Sequence, residues 1–371
     1  MKKQRIVIKI GSSSLTSKSG SLSYEKLNEH VKAIAKLKKM GHEVILISSG
    51  AVAAGFSLLG YPVRPANIAQ KQAAASVGQG LLMQGYMEQF QQEQMVAAQI
   101  LLTREDFSSE ERFKNAYSTM TELLKRGAIP IINENDTTSV EELTFGDNDM
   151  LSALVSGFMH ADTLCILTDV NGLYTANPNI DIHAKKYDRL ERITEELLAV
   201  AGESNSQVGT GGMRSKILAA DVALSLQVQV FIGKGSGEDK LVQIIQNQGD
   251  GTYLESPQAE RSIPTHKQWI ALHSKSNGAI TIDAGAAYAI LFQGKSLLPA
   301  GVTMINQPFT RDAIIDVYDE ESNLIGKGKT RFSSIELEQI KGLTSHEAKK
   351  QIQITKPEVI HRDQWVRIIQ P

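Results

Sequence analysis

The sequence predicts an α/β protein with a mostly parallel sheet, followed by a smaller β-rich domain. Over about the first 230 residues, short apolar segments rich in β-branched residues alternate with segments of helical length, the pattern of a parallel sheet with helical crossovers. The strand-like segments are almost continuously apolar, which is typical of strands that are covered on both faces. After residue 250 the alternation ends, and short strand-like segments follow one another with turns between them.

The elements of the first part can be placed in order. Strands are predicted at 5–10, 43–48, 95–102, 128–133, 163–169 and 228–233. Helices are predicted at 24–40, 108–127 and 213–224. The first helix has Ser23 as a plausible N-cap and Gly41 as its end.

A change of composition indicates where the two domains meet. A chain of 371 residues is long for one ordinary domain. The segment 249–267 is rich in Gly, Pro, Ser and charge and has no periodicity, so it is interpreted as a linker. We expect a first domain over 1–255, a linker over 256–267 and a second domain over 268–371. Strand-like pieces in the second domain include WIALH, AITI, GVTMI and LIGKGK.

Composition excludes several classes of protein. Hydrophobic residues make up 42% and charged residues 22%, and the formal net charge is −2, which favours neither nucleic acid nor an anionic membrane as a partner. The single cysteine, Cys165, lies in the apolar run TLCILT, which is typical of a buried thiol in a reducing compartment. The amino terminus lacks the apolar core of a signal peptide, and no apolar run approaches the roughly 18 residues of a membrane span. We expect a cytoplasmic protein.

Two predicted strands run directly into glycine and serine. In IKIGSSSL, Lys9 lies at the end of the first strand and Gly11 follows it. In ISSGAVAAG, Ser49 and Gly50 precede a helix start. Ligands of parallel sheets bind beyond the carboxyl ends of strands, where glycine exposes backbone N–H groups to a phosphate and lysine neutralises its charge. A packing turn with a lysine that reaches solvent would produce the same pattern.

Two further segments fit a nucleotide. VGTGGMRSKILAAD is a glycine-rich loop that opens a helix with Lys216 one turn in, without the spacing of a P-loop. A helix start with an incidental surface lysine is the alternative. In LTDVNGLY, Thr168 and Asp169 end a strand before an Asn-Gly turn, where a base and ribose could bind, or where there is only a turn.

A dense acidic stretch, NENDTTSVEELTFGDNDM, covers residues 133–150. So many carboxylates and amides could form a metal site, a solvated loop or a cage for a positively charged group. The chain offers no histidine at metal-ligand spacing, no G-x-S-x-G and no G-x-G-x-x-G after the first strand. Positioned lysines, glycine loops and carboxylates suit phosphoryl transfer, which depends mainly on positioning and charge neutralisation.

These motifs together resemble the amino-acid kinase family, in its glutamate-phosphorylating branch. VIKIGSSSL, ISSGAVAAG, INENDTTS, FGDNDMLSALV, LTDVNGLYTANP and GTGGMRSK occur in the family's order. The resemblance implies a three-layer sandwich with a mostly parallel central sheet. Residues 268–345 are similar to a PUA domain, through LLPAGV and IGKGKTRFSSIEL.

The resemblance also implies a reaction and a role for each candidate residue. ATP would phosphorylate the γ-carboxylate of L-glutamate, the first step of proline biosynthesis, and Mg²⁺ would bridge the phosphates without a metal site of the protein's own. Lys9, Lys216 and Asp149 would be catalytic, with Asp149 orienting the two lysines. Glutamate would be bound by Ser49, Gly50, Asn133, Asp136, Asp147 and Asn148. ATP would be bound by Lys9, Gly11, Thr168, Asp169, Thr210, Gly211, Gly212, Met213, Arg214, Ser215 and Lys216. Residues 137–145 would form a loop over the substrate.

Partners and rival substrates complete the expectation. Relatives imply proline as a possible feedback inhibitor, a homodimer or homotetramer, and functional coupling to a glutamyl-phosphate reductase. A family member acting on N-acetylglutamate, aspartate or a nucleotide is the nearest alternative, and Asp136 argues against it because a free amino group needs an anionic partner. Because PUA domains often occur in RNA-modifying proteins, RNA binding is a second alternative. Residues 266–371 carry 13 Lys and Arg against 11 Asp and Glu, a net +2, so we expect weak or no RNA binding.

Overall fold

The protein divides into two compact units, each with its own buried core. The first comprises residues 1–106 and 114–262, and the second comprises residues 107–113 and 263–371. The structure is a computed structural model and describes residues 2–17, 21–138, 148–178, 180–202, 212–255, 265–270, 274 and 276–367.

An eight-stranded sheet forms the centre of the first unit. The strands described there are β1 (Arg5–Ile10), β2 (Glu43–Ser48), β3 (Ala97–Leu102), β4 (Ile129–Glu134), β5 (Thr163–Thr168), β6 (Leu173–Tyr174), β7 (Lys186–Tyr187), β8 (Arg189–Leu190), β9 (Gln229–Lys234) and β10 (Gly251–Leu254). The order in the sheet is β3-β4-β2-β1-β5-β9-β10-β8, and β6 pairs separately with β7. Only β9 and β10 pair antiparallel within the large sheet. The predicted mostly parallel sheet is confirmed.

Helices connect these strands. Those described up to residue 245 are α1 (Tyr24–Lys39), α2 (Ala51–Gly55), α3 (Ile68–Gln92), α4 (Arg104–Ser108), α5 (Glu110–Lys125), α6 (Asn148–Phe158), α7 (Glu195–Gly202), α8 (Met213–Ser225) and α9 (Lys240–Ile245). Ser23 caps α1 by accepting a hydrogen bond from the Lys26 N–H, and Gly41 follows the helix with φ +91°, as predicted.

The buried face of the sheet explains its apolar sequence. From Ile6 to Ile10 every residue of β1 is buried, and one core cluster joins Ile6, Ile8 and Ile10 to apolar residues of α1 and α3. Cys165 in β5 is fully buried, and burial raises the pKa of its thiol to about 12. The central strands β1, β2, β4 and β5 are therefore buried almost throughout, as predicted, whereas the edge strand β3 buries only Leu102 and is not covered on both faces.

Several elements of the first unit differ from the sequence prediction. The segment 249–267 is not a linker throughout, because β10 pairs with β8 and β9 inside it. The predicted helix 108–127 is present as α5, but the short helix α4 that precedes it was not predicted. The 25-residue helix α3 was not predicted, since its three glycines and scattered apolar residues give little helical periodicity.

The second unit has a five-stranded sheet. Its elements are α10 (Thr265–Gln268), β11 (Ala279–Ile282), α11 (Ala284–Phe292), β12 (Val302–Gln307), β13 (Ile314–Tyr318), β14 (Leu324–Thr330), α12 (Ser334–Ile340), α13 (Ser345–Gln351) and β15 (Ile360–Arg367). The strand order is β12-β11-β13-β14-β15, over a core that includes Ile280, Ile315 and Trp365. Helix α10 starts within the predicted linker 256–267. Residues 269–270 are helical, so the strand predicted for WIALH is wrong there.

No helix among the described residues is both long enough and apolar enough to cross a membrane.

Candidate active site

The candidate residues meet at one edge of the large sheet. In the register of the strands, Ile10 lies beside Ser48 and also beside Leu167, and Ile47 lies beside Ile132. The segments IKIG, ISSG, INEN and LTD therefore lie side by side at the carboxyl ends of the parallel strands. Ligands of parallel sheets bind at these ends.

A buried carboxylate joins two lysines at this edge. Asp149, in the first turn of α6, has no exposed surface. Its Oδ1 lies 2.5 Å from Lys9 Nζ, and its Oδ2 lies 3.0 Å from Lys216 Nζ. The hydroxyl of Ser215 also donates to Oδ2, at 3.1 Å. Because each carboxylate oxygen holds one ammonium group, the two lysines are fixed close together in a desolvated site.

Gly11 lies next to this pair of cations. A Cβ atom built at Gly11 would be 3.7 Å from Lys9 Nζ, so a side chain there would enter the space beside the ammonium group. Residues Ser12–Ser14 form one turn of 3-10 helix, and the first N–H groups of such a turn have no acceptor within it. The turn offers donors beside a fixed positive charge.

Two side chains of α1 hold this turn from behind. Lys26 Nζ donates to the carbonyls of Ser13, at 3.2 Å, and Thr16, at 2.7 Å. His30 Nε2 donates to the Ser14 carbonyl at 3.2 Å. Burial, with Lys240 nearby, lowers the pKa of His30 to about 4. His30 is therefore neutral at pH 7, with its proton on the nitrogen that faces Ser14.

The ISSG segment forms a tight turn at the end of β2. Gly50 has φ +110°, a conformation that favours glycine, and it immediately precedes α2. The Ser49 N–H donates to the Ile10 carbonyl at 3.2 Å. Behind the turn, Ser48 Oγ and the buried Tyr86 hydroxyl share a hydrogen bond of 2.9 Å. The turn is therefore fixed both to β1 and to α3.

A cluster of amides lies beside the turn. Asn148 Nδ2 donates to Ser48 O at 3.1 Å, Ser49 Oγ at 2.9 Å and Asn133 Oδ1 at 2.8 Å. Asn133 Nδ2 in turn donates to Gln79 Oε1 at 2.9 Å. The structure thus brings together three of the residues predicted to bind glutamate and adds Gln79, on α3.

Asp136 follows β4 and is half-buried. Burial and the nearby Glu134 carboxylate together raise its pKa to about 6, and Arg64 partly opposes this shift. A carboxylate that is destabilised in this way gains most from a cationic partner, and an ammonium group of a substrate would supply one.

The nucleotide candidates lie on β5 and α8. Thr168 ends β5 and donates from its hydroxyl to Asp169 Oδ1 at 3.0 Å. Gly212 is the N-cap of α8, and Met213, Arg214, Ser215 and Lys216 form its first turn. Asp147, Thr210 and Gly211, together with residues 139–145 of the predicted loop, lie outside the described residues.

Four residues at the site have no sequence signal that pointed to them. Gln79 and Tyr86 belong to the unpredicted helix α3, and Lys26 and His30 lie on a helix that was predicted only from its periodicity. Gln79 bonds to the candidate residue Asn133, whereas the other three bond to residues next to the candidates, at Ser13, Ser14 and Ser48. Only the register of helices against the sheet shows these contacts.

The described side chains do not form a metal site of the protein's own. Within the part of the chain that the structure describes, no three His, Cys, Asp or Glu side chains are grouped to hold a metal ion. Both oxygens of Asp149 already face lysines. Mg²⁺ commonly binds through substrate phosphates and water with few protein ligands, and this arrangement fits the site.

Each of the two units contains a segment that matches the model of a known protein family. The model of the amino acid kinase family matches residues 4–234, and the model of the PUA domain matches residues 278–352.

Similar proteins cover the whole chain. A glutamate 5-kinase of Halalkalibacterium halodurans is 59% identical over 366 residues, covering 99% of this chain and 98% of its own. Glutamate 5-kinase 1 of Bacillus subtilis is 59% identical over 369 residues, covering 99% of this chain and all of its own. Among solved structures, carbamate kinase from Giardia lamblia bound to AMP-PNP aligns with 69% of this chain at a TM-score of 0.51 and 15% identity, covering 99% of that protein. This last likeness concerns the fold.

Proposed function

The chain belongs to the amino acid kinase family, and we propose that it transfers the γ-phosphoryl group of ATP to the γ-carboxylate of L-glutamate. The products are L-glutamyl 5-phosphate and ADP, and the reaction is the first step of proline biosynthesis from glutamate. The names of the relatives that match over nearly the whole chain support this function.

One observation supports the mechanism. The buried carboxylate of Asp149 pairs with Lys9 and Lys216, which are distant in sequence, at the carboxyl ends of the strands. The attacking carboxylate and the phosphoryl group are both anionic. Two unit charges about 3.5 Å apart repel each other by roughly 5 kcal/mol at an effective dielectric constant of about 20. Lys9 and Lys216 offset this repulsion, and Asp149 keeps both ammonium groups in place while the negative charge moves.

No general base is required. A γ-carboxylate has a reference pKa of about 4.3, so glutamate is already a nucleophilic anion at pH 7. In this proposal the reacting groups bind among the lysines and amides of the described site, with no histidine in a catalytic role. Mg²⁺, carried by the ATP phosphates, supplies further charge neutralisation when it is bound.

The amino-acid end of glutamate is assigned to Asp136, Asn148, Asn133 and the Ser49-Gly50 turn, with Asp147 as a further candidate. The half-buried Asp136 carboxylate supplies the negative charge that an α-ammonium group needs. Thr168, Asp169 and residues 210–216 are assigned to the nucleotide. The Ser12–Ser14 turn after Gly11 offers N–H groups to the transferring phosphoryl group.

Replacing either lysine tests the mechanism. We expect Lys9→Ala and Lys216→Ala to lower kcat by about 100-fold or more while the KM for glutamate changes little, because the lysines act mainly on the transition state. Coupled ADP-release assays measure both constants. Lys39→Ala is the matched control, because Lys39 is an exposed lysine of α1 that pairs with Glu93. Near-normal turnover in either active-site variant would contradict the mechanism.

The same assay distinguishes the rival substrates. We expect turnover with glutamate and little with N-acetylglutamate, aspartate or UMP. Acetylation removes the ammonium group that Asp136 would pair with, and aspartate is one methylene too short to reach both ends of the site. Faster turnover with any of the three would reassign the substrate.

Regulation, assembly and location extend the proposal. Proline is proposed to compete with glutamate around its site, with involvement of the segment after ISSG at about 52–80, and an inhibition curve at several glutamate concentrations tests this. The protein is proposed to form a homodimer or homotetramer in the cytoplasm, where its single buried thiol stays reduced. Because an acyl phosphate hydrolyses readily, a glutamyl-phosphate reductase is proposed to consume the product.

A further inference from the structure

We propose that Gln79 is a positioning residue that sets the orientation of two active-site amides, so that the carbonyl oxygen of Asn148 faces the amino group of the substrate. The inference rests on the proposed function, because it concerns how the α-ammonium group of glutamate is recognised. Gln79 is half-buried on α3.

The hydrogen-bond donors and acceptors around Asn133 allow only one orientation of its side-chain amide. Gln79 Oε1 accepts from Asn133 Nδ2 at 2.9 Å, which turns the Asn133 carbonyl oxygen to the opposite side. There Asn133 Oδ1 accepts from Asn148 Nδ2 at 2.8 Å and from the Glu134 N–H at 3.0 Å. An asparagine side chain has two N–H donors on one end and an acceptor oxygen on the other, so a rotation of Asn133 would place two N–H groups against the donors of its neighbours.

The orientation of the Asn148 side-chain amide is fixed in the same way, by the acceptors around its Nδ2. Its Nδ2 faces three oxygen atoms, those of Asn133 Oδ1, Ser48 O and Ser49 Oγ. If the amide were reversed, its Oδ1 would face the carbonyl oxygens of Ser48 and Asn133 without a proton between them. The orientation that results places Asn148 Oδ1 on the other side, where it is buried and accepts no hydrogen bond from the described residues.

A buried carbonyl oxygen without a donor is costly, and a ligand donor would relieve that cost. An ammonium group has three N–H donors, so it can pair with an amide oxygen and with the Asp136 carboxylate. The amide oxygen would orient the ammonium group through a directed hydrogen bond, and the carboxylate would neutralise its charge. The site would thereby distinguish an α-amino acid from the corresponding dicarboxylate, which offers no donor.

The backbone of α3 beside Gln79 is packed closely against α2. A Cβ atom at Gly78 would lie 1.8 Å from the Ala51 carbonyl oxygen and 2.6 Å from the Gly55 N, so α3 lies against the backbone of α2 at this point. Helix α2 begins directly after Ser49 and Gly50. The close packing at Gly78 thus holds α3 against α2, which follows the Ser49-Gly50 turn. Gln79, the next residue, accepts the hydrogen bond from Asn133.

The test uses two substitutions of Gln79 in the full-length protein. Gln79→Met keeps the length of the side chain and removes the acceptor, whereas Gln79→Glu keeps an acceptor oxygen for Asn133. Gln84→Met, at an exposed position of the same helix, is the matched control. The KM values for glutamate and ATP are measured, together with the inhibition constant of glutarate, which is glutamate without its amino group.

For Gln79→Met we expect the KM for glutamate to rise about tenfold, as for a lost hydrogen bond to a charged group. The glutarate inhibition constant and the KM for ATP should stay within about twofold of the wild type. Gln79→Glu should restore the KM for glutamate to within about threefold, and Gln84→Met should change none of the constants.

Two outcomes would overturn the proposal. An equal rise for glutamate and glutarate would show a general distortion of the site, and an unchanged KM for glutamate would show that Asn148 keeps its orientation without Gln79. A wild-type protein that does not turn over glutamate would contradict the proposed function itself, and that result is obtained before any variant is compared.

Discussion

At the scale of single residues, the site depends on charges that are held away from water. Asp149 is fully buried between Lys9 and Lys216, and such an arrangement is stable only because every charge has its partner. Asp136 differs, because it is half-buried near a second carboxylate, Glu134, and among the described residues no ion pair joins it to a cation. Asp149 is paired within the protein, and Asp136 is proposed to gain its partner when substrate binds.

The raised pKa of Asp136 predicts a pH dependence of glutamate binding. Burial and Glu134 raise this pKa to about 6, so Asp136 is ionised above pH 6 and becomes protonated below it. The protonated form cannot pair with an ammonium group. We therefore expect kcat/KM for glutamate to fall about tenfold per pH unit below pH 6, and the KM for ATP to show no such change.

Rate profiles between pH 5 and 8 measure this effect. The γ-carboxylate of glutamate titrates near pH 4.3, well below the expected inflection. In Asp136→Asn, kcat/KM for glutamate should be low and should no longer change around pH 6. An inflection that persists in this variant would assign the titration to another group.

Most of the residues proposed for catalysis and substrate binding were assigned from the sequence through the family resemblance, and many of them lie at or near the ends of strands. Lys9, Ser49, Asn133 and Thr168 are examples. Their orientation could not be proposed, because the direction of an amide depends on neighbours that are distant in sequence. Gln79 and Asn133 are separated by 54 positions, and nothing in either segment predicts their hydrogen bond.

At the scale of elements, α2 and α3 pack closely beside the residues proposed to bind glutamate. Gly55 and Gly78 face each other at the contact, and a Cβ atom at Gly55 would lie 2.1 Å from the Ala74 carbonyl oxygen. A contact this close requires glycine on both helices. Gly78 and the two other glycines of α3 weaken its helical pattern, which is why this helix was not predicted from the sequence.

Two alanine substitutions in α3 should have opposite effects. Gly78→Ala should lower the free energy of unfolding by about 3 kcal/mol or prevent folding, because its Cβ would meet the Ala51 carbonyl. Gly80→Ala should be neutral or raise the free energy of unfolding by up to about 1 kcal/mol, since no atom lies within 4 Å of its Cβ position.

Urea unfolding followed by circular dichroism measures both changes. Glycine lowers helix propensity at both positions, so the comparison isolates the contact with α2. Equal stabilities of the two variants would show that α3 can move away from α2 without loss.

Strand pairing explains the other differences between sequence and structure at this scale. The sequence Gly251–Leu254 has a glycine and only one buried aliphatic residue, Leu254, so its local pattern resembles a linker. It becomes a strand because β9 and β8 offer backbone partners on either side, which is information that a local pattern does not contain.

At the scale of the whole molecule, charge favours a metabolic enzyme over an RNA-binding protein. The net charge of the chain is −2. In the second unit, the basic residues of β14 have acidic neighbours: Lys327 lies opposite Asp316 in the strand pair, and Arg331, just after β14, lies 4.0 Å from Glu358. A continuous basic surface, which RNA binding requires, is therefore interrupted at these positions.

Titration with RNA tests this interpretation. We expect weak or no binding of a fluorescently labelled single-stranded or hairpin RNA at about 150 mM salt, measured by fluorescence anisotropy. A basic RNA-binding protein of known affinity serves as the positive control. Submicromolar binding that weakens steeply as salt is raised would revive an RNA-related role for the PUA domain.

The position of Cys165 has a practical consequence. It is the only cysteine of the chain and is fully buried in β5, beside β1. A thiol reagent can reach it only when the central sheet opens, so its rate of labelling reports the stability of the first unit. Ligands that bind the native protein slow such opening by mass action. Protection of one thiol could thus measure the binding of glutamate, ATP or proline in variants that no longer turn over.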